Sequence, residues 1–219
     1  MNVVRQTMTS LLEQLRAATA ALHSHLDRHT MMSELVSADL TEARYRQILQ
    51  HMYPAHQQLE SAVQQGAQEL RLGYPLQARL AWLDDDLIKL QCDIPTMAAV
   101  KNMTNQAELT HSETMAPVAI GSLPALVGWL YVLEGSRLGA AVIAKRLQRQ
   151  LPNSPCSFFS RSIAPQAWSQ FLLFAQQVAA ADSDEVIDAA QQAFTSYIEQ
   201  LKAPLGAPLT SAKSAEYAN

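Results

Sequence analysis

The 219-residue chain contains few glycines, few cysteines and no excess of basic charge. Its two cysteines, Cys92 and Cys156, form no CxxC pair, which excludes a disulfide framework and a zinc-finger framework. The formal net charge of −4 provides no basic surface for nucleic acid. These shortages predict a cytoplasmic protein, in a reducing compartment, that does not bind nucleic acid.

Signals for secretion and for membrane insertion are also lacking. The opening residues MNVVRQTMTSLLEQLR carry charges throughout, unlike a secretory signal. Residues 114–133 contain no charged residue, but prolines and glycines interrupt them and charged residues follow at once. We therefore expect a loop and then the start of a buried helix there, and no interaction with a membrane.

The composition favours an all-α protein. Hydrophobic residues make up 48% of the chain, alanine, leucine and glutamine are abundant, and no apolar–polar alternation predicts a strand. Six helices are predicted, at 9–28, 41–65, 75–90, 124–151, 165–181 and 183–201, with Pro54 kinking the second and Ser183 capping the last. We expect one helical domain over residues 1–202 and a disordered tail over 203–219, which has no apolar period.

The first predicted helix carries a histidine and an arginine on one face. Leu12, Arg16, Thr19 and His23 are spaced by four, three and four residues. An imidazole suits a metal, and a guanidinium suits a carboxylate or phosphate. Taken alone, this spacing favours a half-buried structural histidine beside a surface arginine.

The fourth predicted helix carries glycines on one face. Gly128, Gly135 and Gly139 are spaced by seven and four residues, and each costs about 1 kcal/mol relative to alanine in a helix interior. Two explanations stay open: tight packing against another helix, or a flat ligand lying on the bare backbone. A planar metal macrocycle held between this helix and the histidine would use both features.

Two segments resemble the haem oxygenases, especially the bacterial ones. LRAATAALH at residues 15–23 is similar to the family's L-x-x-A-T-x-x-x-H segment, which contains the proximal histidine. YVLEGSRLGAA at residues 131–141 is similar to the bacterial form of the glycine-rich distal helix. Their order and separation also fit, and the resemblance extends over roughly residues 8–201. It implies a multi-helix bundle with haem between the first helix and a kinked glycine-rich helix.

The resemblance implies a role for each matching residue. His23 would be the iron ligand, and Gly135 and Gly139 would let the distal backbone lie close to iron-bound oxygen. The other expected haem contacts are Arg16 and Tyr131 at a propionate, Asp27 one turn after the histidine, Met32 at an apolar position, Leu138 between the glycines, and Phe194 beside the haem.

The chain departs from the family pattern at two places. Ser136 stands where mammalian members have an aspartate that orders distal water, as it does in bacterial relatives, so the water network must be built differently. Trp168 and Phe171 occupy the region of the family's later basic propionate partners. The meso carbon that is attacked is therefore not defined by the sequence.

The resemblance also implies the reaction. Haem b would be both substrate and cofactor, and O₂ would cleave it to biliverdin, carbon monoxide and ferrous iron. Because no flavin or dinucleotide motif is present, the electrons would come from a separate reductase or a ferredoxin-like donor. A bilin-accepting phytochrome is a possible recipient of the product.

Other functions fit parts of the same sequence. A haem carrier or sensor would keep the pocket without turnover. A di-iron oxidase would need two Glu-x-x-His motifs, and the sequence has one, at residues 108–111. His25 and His29 have the spacing of zinc ligands but no evident third ligand. His51 and His56 flank Pro54 as packing or surface residues, with a distal-pocket role open for His56.

Overall fold

The computed structural model describes residues 2–94, 118–162 and 166–202, with side chains from residue 11 onward. Every regular element in these ranges is helical, which confirms the all-α prediction. The elements are α1 (Asn2–Asp27), α2 (Thr30–Glu34), α3 (Glu42–Glu69), α4 (Leu80–Lys89), α5 (Leu123–Gln150), α6 (Ser157–Ser160), α7 (Ala167–Ala175), a 3₁₀ turn (Ala180–Asp182) and α8 (Ser183–Lys202).

Helix α5 begins where its sequence predicts. The Ser122 hydroxyl oxygen accepts a hydrogen bond from the Ala125 N–H at 3.2 Å, and Pro124 occupies the first turn. In the described part of the chain, α5 alone is long and apolar enough to cross a membrane. Since 56% of its most apolar stretch is buried inside the protein, α5 has the character of a core helix.

Helix α8 supports both α1 and α5. The Gln191 side-chain amide donates to the Ala18 carbonyl of α1 at 3.0 Å. On α5, a Cβ added at Gly128 would lie 2.4 Å from the Val186 carbonyl oxygen and 2.8 Å from the Ala190 nitrogen. The backbones of α5 and α8 therefore touch at Gly128, and the histidine helix and the glycine helix share one support.

Two apolar clusters fill the interior. The first contains Leu15 of α1, Val63 from the second half of α3 and Trp129 from the first half of α5. The second contains Tyr45 from the first half of α3 and Leu147 from the second half of α5. Buried charged residues lie between the two sets along both long helices, so the core has two apolar parts with a polar layer at mid-helix.

Helix α4 begins later than predicted. The sequence predicts a start at Pro75, but residues 72–79 are irregular and α4 starts at Leu80. The Glu60 carboxylate of α3 accepts hydrogen bonds from the N–H groups of Arg79 at 2.7 Å and Leu80 at 3.3 Å. A carboxylate from another helix thus caps α4, which is a tertiary contact that local sequence does not reveal.

Other predicted boundaries also need correction. Helix α1 begins at Asn2 instead of residue 9, since neither proline nor glycine interrupts those residues. Helix α7 ends at Ala175, six residues before the predicted end, in a turn where the Val178 N–H donates to Ala175. Ser183 is no N-cap, because it has helical dihedrals and its hydroxyl donates to the Ala180 carbonyl. The predicted tail at 203–219 lies outside the described residues.

Candidate functional site

His23 lies near the end of α1 with its ring open to solvent. Its side chain is 63% exposed, and its Nδ1 is 2.9 Å from the Asp27 Oδ2. Asp27 follows four residues later on the helix, so the two side chains share a face. Because a carboxylate accepts hydrogen bonds, this contact places a proton on Nδ1 and leaves the lone pair of Nε2 to bind a metal.

Phe194 of α8 lies beside His23. The two ring centroids are 6.0 Å apart in an edge-on arrangement, and Phe194 is buried. The predicted iron ligand, the predicted carboxylate and the predicted aromatic neighbour are therefore brought together in one place. A rigid aromatic wall and a carboxylate together fix the orientation of the imidazole.

The glycines of α5 fall into two groups. Gly128 is pressed against the backbone of α8, as described above. At Gly135 an added Cβ would meet only the Cζ3 atom of Trp168, at 3.9 Å, and at Gly139 it would meet no atom of the described residues within 4 Å. Packing thus explains Gly128, while no neighbour among the described residues requires glycine at 135 or 139.

The surface around Gly135 and Gly139, here called the glycine face, is apolar. Leu138 and Val142 lie on the same side of α5 and are 59% and 58% exposed. Two large apolar side chains beside bare backbone are typical of a surface that an apolar ligand covers.

A buried polar cluster adjoins this part of α5. Its charged or ionisable members are each at most 5% exposed: His56, Glu60, Arg79, Glu134 and Arg137. Arg137 Nε lies 2.5 Å from the Glu134 carboxylate, and its Nη2 donates to the Gln77 carbonyl at 2.7 Å. Two carboxylates and two guanidiniums balance the charge, which is the condition for burying them.

Burial sets the protonation states in this cluster. Desolvation, with the nearby Arg79 charge, lowers the pKa of His56 to about 4. His56 is therefore neutral at pH 7, and its Nε2 donates to the Glu60 carboxylate at 3.2 Å. Burial opposes ionisation of Glu60, but the hydrogen bonds from His56, Arg79 and Leu80 hold its pKa below the ordinary value. Burial lowers the pKa of Arg79 to about 10, so the guanidinium stays charged.

Arg79 connects the cluster to the glycine face. Its Nη2 donates to the Ser136 Oγ at 2.6 Å and to the Leu133 carbonyl at 3.2 Å. The Ser136 hydroxyl donates to the same Leu133 carbonyl at 2.7 Å. The proton of Ser136 is thus committed to the helix backbone, and its oxygen can accept a further hydrogen bond on the exposed side. Arg79 Nε and Arg137 Nη1 are buried without a partner among the described residues.

The remaining predicted contact residues are more dispersed. Arg16 is exposed on α1, and Tyr131 is half-buried against the rings of Trp168 and Phe171. Met32 lies on α2 and packs against the second apolar cluster. Among the described residues, no hydrogen bond, ion pair or ring contact joins these three side chains to His23.

The other metal motifs in the sequence are the Glu-x-x-His motif and the His25–His29 pair. The Glu-x-x-His motif at 108–111 lies outside the described residues. Within the described ranges, no group of three or more histidine, cysteine or acidic side chains is placed to share a metal ion. Burial and the charges of His25 and Lys202 lower the pKa of His29.

Sequence reasoning missed Arg79 and Glu60. The three-residue spacing of Glu134 and Arg137 in a largely apolar helix could have indicated a buried ion pair. No local signal marks Arg79, because its partners lie 19, 57 and 83 residues away in sequence. His56, whose distal role was left open, belongs to the cluster.

The fold and site define an all-helical protein in which an exposed histidine and a bare glycine face rest on a common helix. The family model described as "Heme oxygenase" matches residues 9–203, and the chain belongs to this family of haem-degrading oxygenases. No curated protein sequence matches the chain.

Two solved structures share the fold. The NO- and CO-bound heme oxygenase from Neisseria meningitidis is 23% identical with a TM-score of 0.62, over 87% of this chain and 89% of that one. Heme oxygenase-1 from the cyanobacterium Synechocystis in complex with heme is 16% identical with a TM-score of 0.54, over 87% and 90%.

Proposed function

We propose that this chain binds haem through the Nε2 atom of His23 and cleaves it with O₂ to biliverdin, carbon monoxide and ferrous iron. The observation that carries the proposal is the His23–Asp27 hydrogen bond on an imidazole that is 63% exposed. Haem supplies the iron that binds O₂ and the porphyrin ring that is oxidised. The chain supplies position, apolar surroundings and protons.

Asp27 acts on the imidazole. Its carboxylate accepts a hydrogen bond from the Nδ1–H of His23 at 2.9 Å, which fixes the tautomer and raises the basicity of the ring as a ligand. Phe194 limits rotation of the ring from the α8 side. A neutral histidine ligand of this kind lacks the strong electron donation of a thiolate.

The glycine face would hold one side of the macrocycle. Side chains at Gly135 and Gly139 would fill the space that the bare backbone leaves for the haem and for O₂. Leu138 and Val142 are exposed there and gain burial when a flat apolar ring covers them. The α8 helix, which packs against both α1 and α5, fixes the spacing between the two faces.

The polar cluster orders distal water in place of an aspartate. Arg79 fixes the Ser136 hydroxyl, whose proton bonds the Leu133 carbonyl. The free side of the Ser136 oxygen accepts a hydrogen bond from water, and that water's position is then defined relative to the glycine backbone. Protons reach the site through such water, while Ser136 orients it without giving up its own proton.

The remaining roles concern the edge of the haem and its partners. In this proposal exposed Arg16 pairs with a propionate, Tyr131 of α5 assists it, and Met32 lies at an apolar edge of the haem. Electrons come from a separate reductase or ferredoxin-like protein in the cytoplasm. The bilin product either passes to a phytochrome as its chromophore or is formed as the by-product of a reaction that serves to release iron.

An optical titration with haemin tests the proposal. We expect a Soret band on binding, and its decay into broad red bilin absorption after ascorbate or a reductase system is added in air. A stable band would leave a haem carrier or sensor, and no band would overturn haem binding altogether.

A histidine pair sharpens this test. His23→Ala should melt at the parent temperature, because its side chain is largely exposed, yet lose the axial ligand and at least about 100-fold in turnover. His25→Ala is the matched control, since His25 is exposed on the same helix. Equal spectra and turnover in the parent and His23→Ala would defeat the assignment of the ligand.

A further inference from the structure

The glycine face is open at one end and bounded at the other. At Gly139 no atom of the described residues lies within 4 Å of an added Cβ. At Gly135, one turn and about 6 Å away along the helix axis, the Cζ3 atom of Trp168 lies 3.9 Å from that position. A flat ring on this face therefore meets the indole edge at the Gly135 end.

Trp168 is held firmly enough to act as a stop. Its ring centroid is 5.0 Å from that of Phe171, which is fully buried, and 6.1 Å from that of Tyr131 on α5. Contacts with these two aromatic rings hold the indole in place. Trp168 itself is only half-buried, so part of its ring borders the surface.

We infer that Trp168 is a positioning residue that limits how far the macrocycle moves toward Gly135, and so selects which meso edge lies under the open backbone at Gly139. This inference rests on the proposed function and adds a determinant of regiochemistry. Because a steric stop acts in the plane of the ring, it changes the rotation of the haem and leaves the His23 ligand in place.

The test compares Trp168→Ala with the parent and with Trp82→Ala, a half-buried tryptophan on α4. The first readout is the pattern of hyperfine-shifted haem methyl resonances in the ferric cyanide complex, which reports in-plane rotation without turnover. The second is the ratio of biliverdin isomers. We expect Trp168→Ala to change both while haem affinity falls by no more than about tenfold, and Trp82→Ala to change neither.

The outcomes separate the two proposals. A parent that binds no haemin overturns the proposed function and this inference with it. A parent that binds and degrades haem, with methyl pattern and isomer ratio unchanged in Trp168→Ala, overturns the inference alone. If Trp168→Ala does not fold, Trp168→Leu keeps apolar packing with a shorter side chain, and the same two readouts decide.

Discussion

The two halves of α5 use glycine for different purposes. In the first half, Gly128 lets the backbone of α8 approach so closely that an added Cβ would lie 2.4 Å from the Val186 carbonyl oxygen. In the second half, Gly139 has no described neighbour within 4 Å of that position. Glycine is thus required by close helix packing at Gly128, whereas at Gly139 no packing contact within the described residues requires it.

The polar cluster marks the boundary between the two halves. Glu134 and Arg137 lie between Gly128 and Gly139 along α5. Arg137 donates to the Gln77 carbonyl and Arg79 donates to the Leu133 carbonyl, so this part of α5 is held to the segment that precedes α4. A rigid boundary of this kind lets one half pack as core while the other stays bare. Substitutions in the two halves should therefore affect different measurements.

The largest effect is expected at Gly139. Gly139→Leu should lower the rate of ring opening by at least about 100-fold, because the leucine side chain would fill the space between the helix and the macrocycle. Thermal stability should be equal or higher, since leucine is the better helix former. Biliverdin formation and a melting curve measure the two effects, with Gln148→Leu, also exposed on α5, as the control. Parental turnover in Gly139→Leu would show that the glycine face does not contact the substrate.

Protonation of His56 in the polar cluster should make the stability of the protein depend on pH. The pKa of His56 is about 4 in the folded protein and about 6.5 in the unfolded chain, so the unfolded chain binds more protons between these values. The free energy of unfolding should therefore fall as the pH drops from about 6.5 to 4, and His56 should account for roughly 3 kcal/mol of that loss. Glu60, whose pKa is lowered, adds to the loss at the acid end.

Urea unfolding as a function of pH measures this loss. His56→Gln keeps a donor for Glu60 but does not titrate, so its profile should be flatter than that of the parent. The burial of His29 and His51 lowers their pKa values too, and the difference between the two profiles isolates His56. Parallel profiles would contradict a neutral, buried His56.

A smaller effect is expected in the first half of α5. Gly128→Ala should destabilise the protein by about 2 kcal/mol, because the methyl group would overlap the α8 backbone and force the helices apart. Gly135→Ala is the matched variant, since its methyl would meet only Trp168 at ordinary contact distance. It should gain up to about 1 kcal/mol in helix propensity. Equal melting temperatures in the two variants would remove the distinction between Gly128 and Gly135.

Some of the site could be predicted from the sequence, because its signals are local. Asp27 follows His23 by one helical turn, and Gly135 and Gly139 are also one turn apart, so helical periodicity alone places each pair on one face. The proximity of Phe194 to His23 came from the family resemblance. Whether these residues bind haem is still a prediction.

The chain by itself determined the helical class, the long helices and the pairing of His23 with Asp27, since each follows from contacts within four residues. Tertiary structure decided that Gly128 is packed against α8 while Gly139 is not, that α4 starts at Leu80, and that Arg79 contacts Ser136. Those features depend on residues 19 to 62 positions apart, whose proximity is set by how the helices pack and leaves no periodic trace in the sequence.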